Sequence, residues 1–486
     1  MSLFGTGLRI STLVLALAPI LPAQDGDLPE RLFSSGERAY ATKAYPEAVE
    51  TWNQLLQAAP KSPFAAQALM RLARYQLEVE KRPDAALPFL DKVKAEHLKT
   101  PWAAEAMLLR GKILAGRSGT PVELKEAMAE FNRVVDLFPD SPAVQETRFQ
   151  MGAAFYLQGQ WGRALQNFTE LLRLDPAAPL ACKAQLRIAD ILDLLGDTTG
   201  CLRALQALRN QRPDSVESQE AGWRIQVIVK QRLLKPALHS QGPWPDGKVK
   251  WLKTPTLLAT GPDGELYLYQ DDLDRAFRLQ NGQLAPAGPV AKDAKAMLVT
   301  PAGEPWLVTG KFGVVKADNP QPMAAPPVAA PSGAFLDGWG NTWLGDGKGE
   351  SIVILSPQGS QRSLPCAATA LAGMPGGGAV AACDGSRTLQ FLDGNGKLRQ
   401  SVPYGQGLAA PFKYVVALCA DPCGHVAALV DGDFEGVVLW GPDGAVLRSA
   451  TYKTLGIAGK FRSVALDRQG GIILADRSHD TLYRLD

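Results

Sequence analysis

The chain has 486 residues, 46% hydrophobic and 21% charged, and its 51 basic and 49 acidic side chains leave a net charge of +2. That length exceeds what one hydrophobic core covers, so at least two domains are expected. Basic and acidic residues balance on both sides of residue 235, 29 against 26 before Pro236 and 22 against 23 from there on. Without a basic excess to neutralise phosphates, nucleic acid is not an expected partner.

At the start, Arg9 leads into the apolar run Ile10 to Leu21, followed by Pro22-Ala23. A dozen apolar residues are too few to span a bilayer, so residues 1–23 read as a cleaved secretory signal peptide. The expectation is a soluble, exported protein, periplasmic or secreted from a bacterium. No cysteine follows the cut to take a lipid anchor, and no later apolar stretch is long enough for a membrane span.

From residue 28 to 235 the sequence repeats. Ala48, Ala85, Ala127, Ala164 and Cys201 form one column; Trp52, Phe89, Phe131, Phe168 and Leu205 stand four residues on. Pro60, His97, Pro139, Pro176 and Pro213 stand twelve on. A small residue, a large apolar one and a helix-stopping proline at this period mark a solenoid of helix pairs. The unit from Gln145 to Pro176, with Gly152, Phe155, Gly159, Trp161, Ala164 and Phe168, resembles the tetratricopeptide repeat (TPR). His97 departs from the proline slot, Lys92 from an apolar one, and an insertion at Arg117 to Pro121 lengthens one spacing. The period and the phrase Leu137-Phe-Pro-Asp-Ser-Pro142 resemble a bacterial envelope subgroup that includes the Tol–Pal coordinator and the outer-membrane barrel-assembly lipoprotein. That resemblance implies protein–protein scaffolding. A helix from Ser215 to Leu234 is expected to cap the array.

In such arrays the first helix of each pair lines the concave face. Alignment on Gly36, Ala73, Gly111, Gly152 and Ala189 puts Phe33, Met70, Leu108, Phe149 and Leu186 on that face, with Tyr40, Leu77 and Tyr156 one turn further. Glu37, Arg74 and Lys112 alternate with them. The basic clamp that grips a terminal carboxylate in chaperone-binding relatives is missing, so an amphipathic helix or extended apolar peptide is the expected partner in this groove. Packing against neighbouring helices of the same chain is the competing role for these side chains.

After a linker at 236–247, residues 248–486 change character. Turn glycines recur at Gly264, Gly303, Gly340, Gly377, Gly424 and Gly470, each between two short apolar runs. Six such units read as six propeller blades. Second strands end in Asp271, Asp346, Asp384, Asp431 and Asp476, and this pattern over 245–486 resembles the NHL-type six-bladed β-propeller. Blade two departs from it at Gly310, and Asn319 to Pro331 reads as a loop. The chain stops one strand short, and the run Lys248 to Leu252 is expected to complete the last blade and close the ring. The fold class is therefore multidomain, a helical TPR-like solenoid followed by a six-bladed propeller.

Hydrolase and nucleotide motifs such as HExxH, GxSxG and GxxxxGK[ST] are missing, and the four histidines form no close pair. The chemical candidates are the acidic loops Asp271, Asp272 and Asp274 in blade one and Asp431, Asp433 and Glu435 in blade five. Carboxylates sharing one propeller face suit calcium; an aspartate after a strand also caps its own turn. No other cofactor is expected. Six cysteines offer the neighbouring pairs Cys182 with Cys201, Cys366 with Cys383 and Cys419 with Cys423, among fifteen connectivities for a full set. The reading is a non-enzymatic scaffold working through the TPR groove and the propeller face. The alternative is a metal-dependent hydrolase, lactonase or lyase in the propeller.

Overall fold

The computed structural model describes residues 27–117, 121–245, 252–316, 328–357 and 361–486. The signal peptide, most of the run 248–252 and residues 319–327 of the expected loop lie outside them. Eleven helices come first: α1 (Leu28–Ala41), α2 (Tyr45–Ala58), α3 (Pro63–Glu78), α4 (Pro83–Glu96), α5 (Trp102–Arg117), α6 (Pro121–Leu137), α7 (Ala143–Leu157), α8 (Trp161–Leu174), α9 (Ala181–Leu194), α10 (Thr198–Gln211) and α11 (Val216–Ile228). A π-turn, Val229–Leu234, extends α11. Two compact units divide within α5: one ends at Ala106, and the other, Met107–Asp486, joins the later repeats to the propeller.

The repeat columns are the interior of the array. Ala48, Trp52 and Leu55 are fully buried, as are Ala164, Phe168 and Leu171. In α4 the buried residues are Ala86, Leu90 and Val93, one position beyond the expected Ala85 and Phe89. The cause is the helix start. The column alanine is the fourth residue of α2, α4 and α8, and proline at the first helical turn sets where α4 begins. The shift also removes Lys92 from the apolar slot.

The opposing column on the first helices is matched in size. A Cβ added at Gly36 would stand 2.3 Å from the Trp52 indole, at Gly111 2.4 Å from the Phe131 ring, and at Gly152 2.7 Å from Phe168. Where the column instead holds Ala73 or Ala189, the buried residue at the matching position of the next helix is the smaller Leu90 or Leu205. Each repeat thus fills the same volume with a different pair.

The propeller has six sheets. Blade one is β2–β5 (Pro255–Thr260, Leu266–Gln270, Arg275–Gln280, Gln283–Val290) and blade two β6–β8 (Ala294–Val299, Pro305–Thr309, Gly313–Val315). Blade three is β9–β12 (Pro331–Leu336, Thr342–Asp346, Ser351–Leu355, Gln361–Pro365) and blade four β13–β16 (Ala370–Gly373, Ala379–Cys383, Thr388–Leu392, Leu398–Pro403). Blade five is β17–β20 (Tyr414–Ala420, Val426–Asp431, Gly436–Trp440, Val446–Thr451); blade six is β21–β23 (Phe461–Leu466, Ile472–Asp476, Thr481–Leu485) plus β1 (Ser240–Trp244).

Ring closure uses an earlier strand than the sequence pointed to. Ser240 pairs with Leu485 and Trp244 with Leu482, so Ser240–Trp244, not Lys248–Leu252, completes the last blade. The reason is proximity: the π-turn ends beside blade six, where Lys230 Nζ lies 3.3 Å from the Asp486 carboxylate. The first extended residues after it capture the open edge. All six turn glycines adopt the left-handed φ, between 72° and 83°, that tight strand-to-strand turns favour.

Candidate functional site

The first-helix face behaves differently in the two units. In the first, Phe33, Tyr40 and Leu77 are half-buried, while Met70 is packed inside. Phe33 meets Phe64 at 5.7 Å between ring centroids, Tyr40 meets Tyr45 at 5.3 Å, and Tyr45 meets Tyr75 at 5.9 Å. The charges between them are spent on one another: Glu37 pairs with Arg71 at 2.5 Å and Arg74 with Glu105. In the second unit Lys112 pairs with Glu146 at 2.6 Å and Asp190 with Arg224, and Leu108 and Leu186 are buried. From α7 onward the face is occupied by the chain's own propeller. Phe149 and Tyr156 line a cavity shared with it, and Leu157 fits where a Cβ at Gly338 or Gly377 would collide.

That joint is polar and specific. Arg224 donates to Asp190 and to the Pro422 carbonyl, 3.2 Å away. Arg232 forks onto Asp193, reaches the Cys423 carbonyl at 2.5 Å, and donates through Nε to His425 Nε2 at 2.9 Å. Gln231 bridges the Gly470 carbonyl and Arg448. Burial pushes the Asp190 carboxyl up, but Arg224 and Arg187 outweigh it and hold the group below its usual range. The Asp421 carboxyl, also buried, is likewise held low, by His425 and the backbone donor beside it.

Asp421, Cys423 and His425 are the three-ligand constellation that stands out among the described residues. Its donors are already committed. Asp421 Oδ1 accepts the N–H groups of Cys423 and His425, and Oδ2 faces His425 Nδ1 at 2.8 Å. With Nε2 accepting from Arg232, the ring is the neutral Nδ1–H tautomer. Burial raises the Cys423 thiol far above the thiolate range, and two guanidinium groups border the cluster. It fits an interdomain latch better than a cation site. Sequence reading missed it because it sought aspartates after second strands. The aspartate before the turn, in Asp421-Pro-Cys-Gly-His425, Asp337-Gly-Trp-Gly-Asn341 and Asp467-Arg-Gln-Gly-Gly471, was the available signal.

The cavity is about 940 Å³. Helices α7, α9 and α11 line one end with Phe149, Tyr156, Arg187, Trp223 and Arg224, and all six inner strands form its wall. The opposite end is the mouth, because second strands run antiparallel to first ones and end where those begin, as Gln270 does opposite Pro255. The acidic loops lie on this mouth face. Asp271 pairs with Arg477 at 3.1 Å, Asp274 takes a left-handed φ of 51°, and Asp433 lies 3.9 Å from Lys413 Nζ. Asp272, Asp431 and Glu435 are exposed. No three of these six carboxylates form a group like that at Asp421 among the described residues. Asp346 instead accepts the N–H groups of Lys348 in its own turn and of Ala329 and Ala330 on the segment entering the blade, and Asp476 likewise those of Ser478 and Lys460.

All six cysteines are free thiols, and the sulfurs of Cys366 and Cys383 lie 3.5 Å apart. No helix among the described residues is long and apolar enough to cross a membrane.

Tetratricopeptide-repeat family profiles match residues 35–97 and 183–215. No curated protein matches the chain. Among solved structures, a streptogramin B lyase is similar at 12% identity and TM-score 0.39, covering 51% of this chain and 97% of that one. A gluconolactonase from Xanthomonas campestris is similar at 15% identity and TM-score 0.37, covering 48% and 86%. YrrB, a TPR protein with an unusual peptide-binding site, is similar at 17% identity and TM-score 0.30, covering 39% and 90%.

Proposed function

We propose that the chain is an exported, non-enzymatic scaffold whose first repeats hold an apolar segment of a partner protein and whose last repeats carry the propeller as a second binding surface. The carrying observation is the contrast along the first-helix face. Phe149 and Tyr156 are taken up by the propeller joint, whereas Phe33, Tyr40 and Leu77 keep exposed surface beside charges that already neutralise one another. With the charges paired, apolar burial is the driving force left for a partner. The tetratricopeptide matches support this reading, and the apolar segment 10–21 supports export to the periplasm. The resemblance to Tol–Pal-type coordinators and NHL propellers belongs to the same proposal.

The test is photo-crosslinking in the source cell from a benzoylphenylalanine placed at residue 33 or 77. The expected result is one shared protein adduct from both sites, lost in Tyr40→Glu. The same adducts from position 57, where Gln57 is exposed on α2, would refute it. Metal-dependent hydrolase or lyase activity draws on the acidic mouth face, and stoichiometric calcium binding lost in Asp431→Asn/Asp433→Asn would favour that reading.

A further inference from the structure

Five of the six inner strands carry a β-bulge one or two residues in from the mouth, at Thr256, Lys295, Ser332, Val416 and Arg462. A bulge re-aims the extra side chain out of the ladder. Of these five, Lys295, Ser332, Val416 and Arg462 line the cavity. The strands bearing Arg462, Thr256 and Lys295 are consecutive around the ring, β21 beside β2 and β2 beside β6. Neither Lys295 nor Arg462 has an acidic partner among the described residues, and the Thr256 hydroxyl between them is buried without a hydrogen bond.

The acids of the lining are all engaged. Asp190 and Glu220 are held by arginines. Asp337 accepts from Asn341 and the Trp343 indole, Asp421 from His425, and Asp467 from Arg484. The acids lie toward the array end, and the charge at the throat is positive, from Lys295 and Arg462, where low-dielectric walls focus the field. At the array end the lining is aromatic: Phe149, Tyr156, Trp223 and Trp339. The Tyr156 hydroxyl is buried there beside Asp190, and Arg468 lies 5.5 Å over the Trp223 ring. A volume of about 940 Å³ is within the usual range for an organic ligand, roughly 300–1,000 Å³.

We propose that the propeller channel binds an organic anion, its carboxylate, sulfonate or phosphate group held at Lys295 and Arg462 and its apolar body directed toward the aromatic end. This site is independent of the partner groove on the first repeats.

Two fluorescent probes that differ chiefly by one charge test it on the full chain: 8-anilinonaphthalene-1-sulfonate and its uncharged counterpart N-phenyl-1-naphthylamine. The expected result is one sulfonate probe per chain, displacing the neutral probe competitively. Lys295→Gln/Arg462→Gln weakens the sulfonate probe tenfold or more and leaves the neutral one within twofold. Both substituted side chains are exposed, so the variant keeps its fold. Equal sulfonate affinity in variant and wild type, equal losses for both probes, or binding at several sites per chain would each overturn the proposal.

Discussion

Replacing Gly152 with alanine tests whether paired column sizes hold the array together. The new Cβ would stand 2.7 Å from Phe168 Cε1 and 2.9 Å from both Cδ1 and Cζ. The ring is fully buried and rests against Phe149, 5.6 Å away between centroids, so it cannot swing aside cheaply. Overpacking of this kind costs about 1–3 kcal/mol, and removing a mid-helix glycine returns up to about 1 kcal/mol. The net expected loss is about 1–2 kcal/mol. Phe168→Leu alone opens a gap and costs a similar amount, on the order of 1–2 kcal/mol. The double variant recreates the alanine–leucine pairing found at Ala189 and Leu205, so the two losses should largely cancel, a coupling of about 2–3 kcal/mol. Hydrogen exchange of α7 and α8 amides reads this locally, which matters in a chain of several cooperative parts. Each single variant should speed exchange roughly tenfold, and the double no more than either. Acceleration in the double by the product of the two singles would refute the size-pairing argument.

The joint makes further predictions. Arg232→Ala leaves Asp193 buried without its cation and His425 Nε2 without a donor, a loss of about 3–5 kcal/mol for a broken buried pair. Limited proteolysis between Pro236 and Ser240 should accelerate, and unchanged cleavage would show the latch to be dispensable. Because the folded Asp190 and Asp421 carboxyls are held below the ordinary value of 3.8, their stabilisation is complete above that value and is lost as pH falls through the depressed ones. Melting temperature should thus drop as pH is lowered below about 4, less steeply in Asp190→Asn; an identical pH profile in that variant would contradict the assignment. Oxidised glutathione should join Cys366 to Cys383, their sulfurs being 3.5 Å apart, with loss of two titratable thiols and no effect in Cys383→Ala. Burial raises the Cys201 thiol to about 12, so iodoacetamide should leave it unmodified in the native chain, and rapid labelling would argue against its enclosure.

What the sequence determined by itself is whatever each repeat must solve locally. Helix pairs show because Ala164 and Phe168 recur as Cys201 and Leu205, and every pair needs one small and one large residue at its contact. Blades show because each hairpin needs a left-handed glycine such as Gly424. A period registers contacts repeated within units, and so it also came within one residue of α4, where only the helix start at Pro83 distinguished Ala86 from Ala85. Tertiary structure decided the contacts made once. Arg224, Arg232 and His425 meet across the joint between array and propeller, a junction no other repeat reproduces, so no column announces them. The closing strand Ser240–Trp244 was chosen by where the π-turn releases the chain, not by its composition. Lys295 and Arg462, far apart in sequence, flank one throat because closing the ring puts blades six and two on either side of blade one. Local packing repeats and leaves a pattern; contacts between unlike domains, and those created by closing a ring, occur once and exist only in the folded chain.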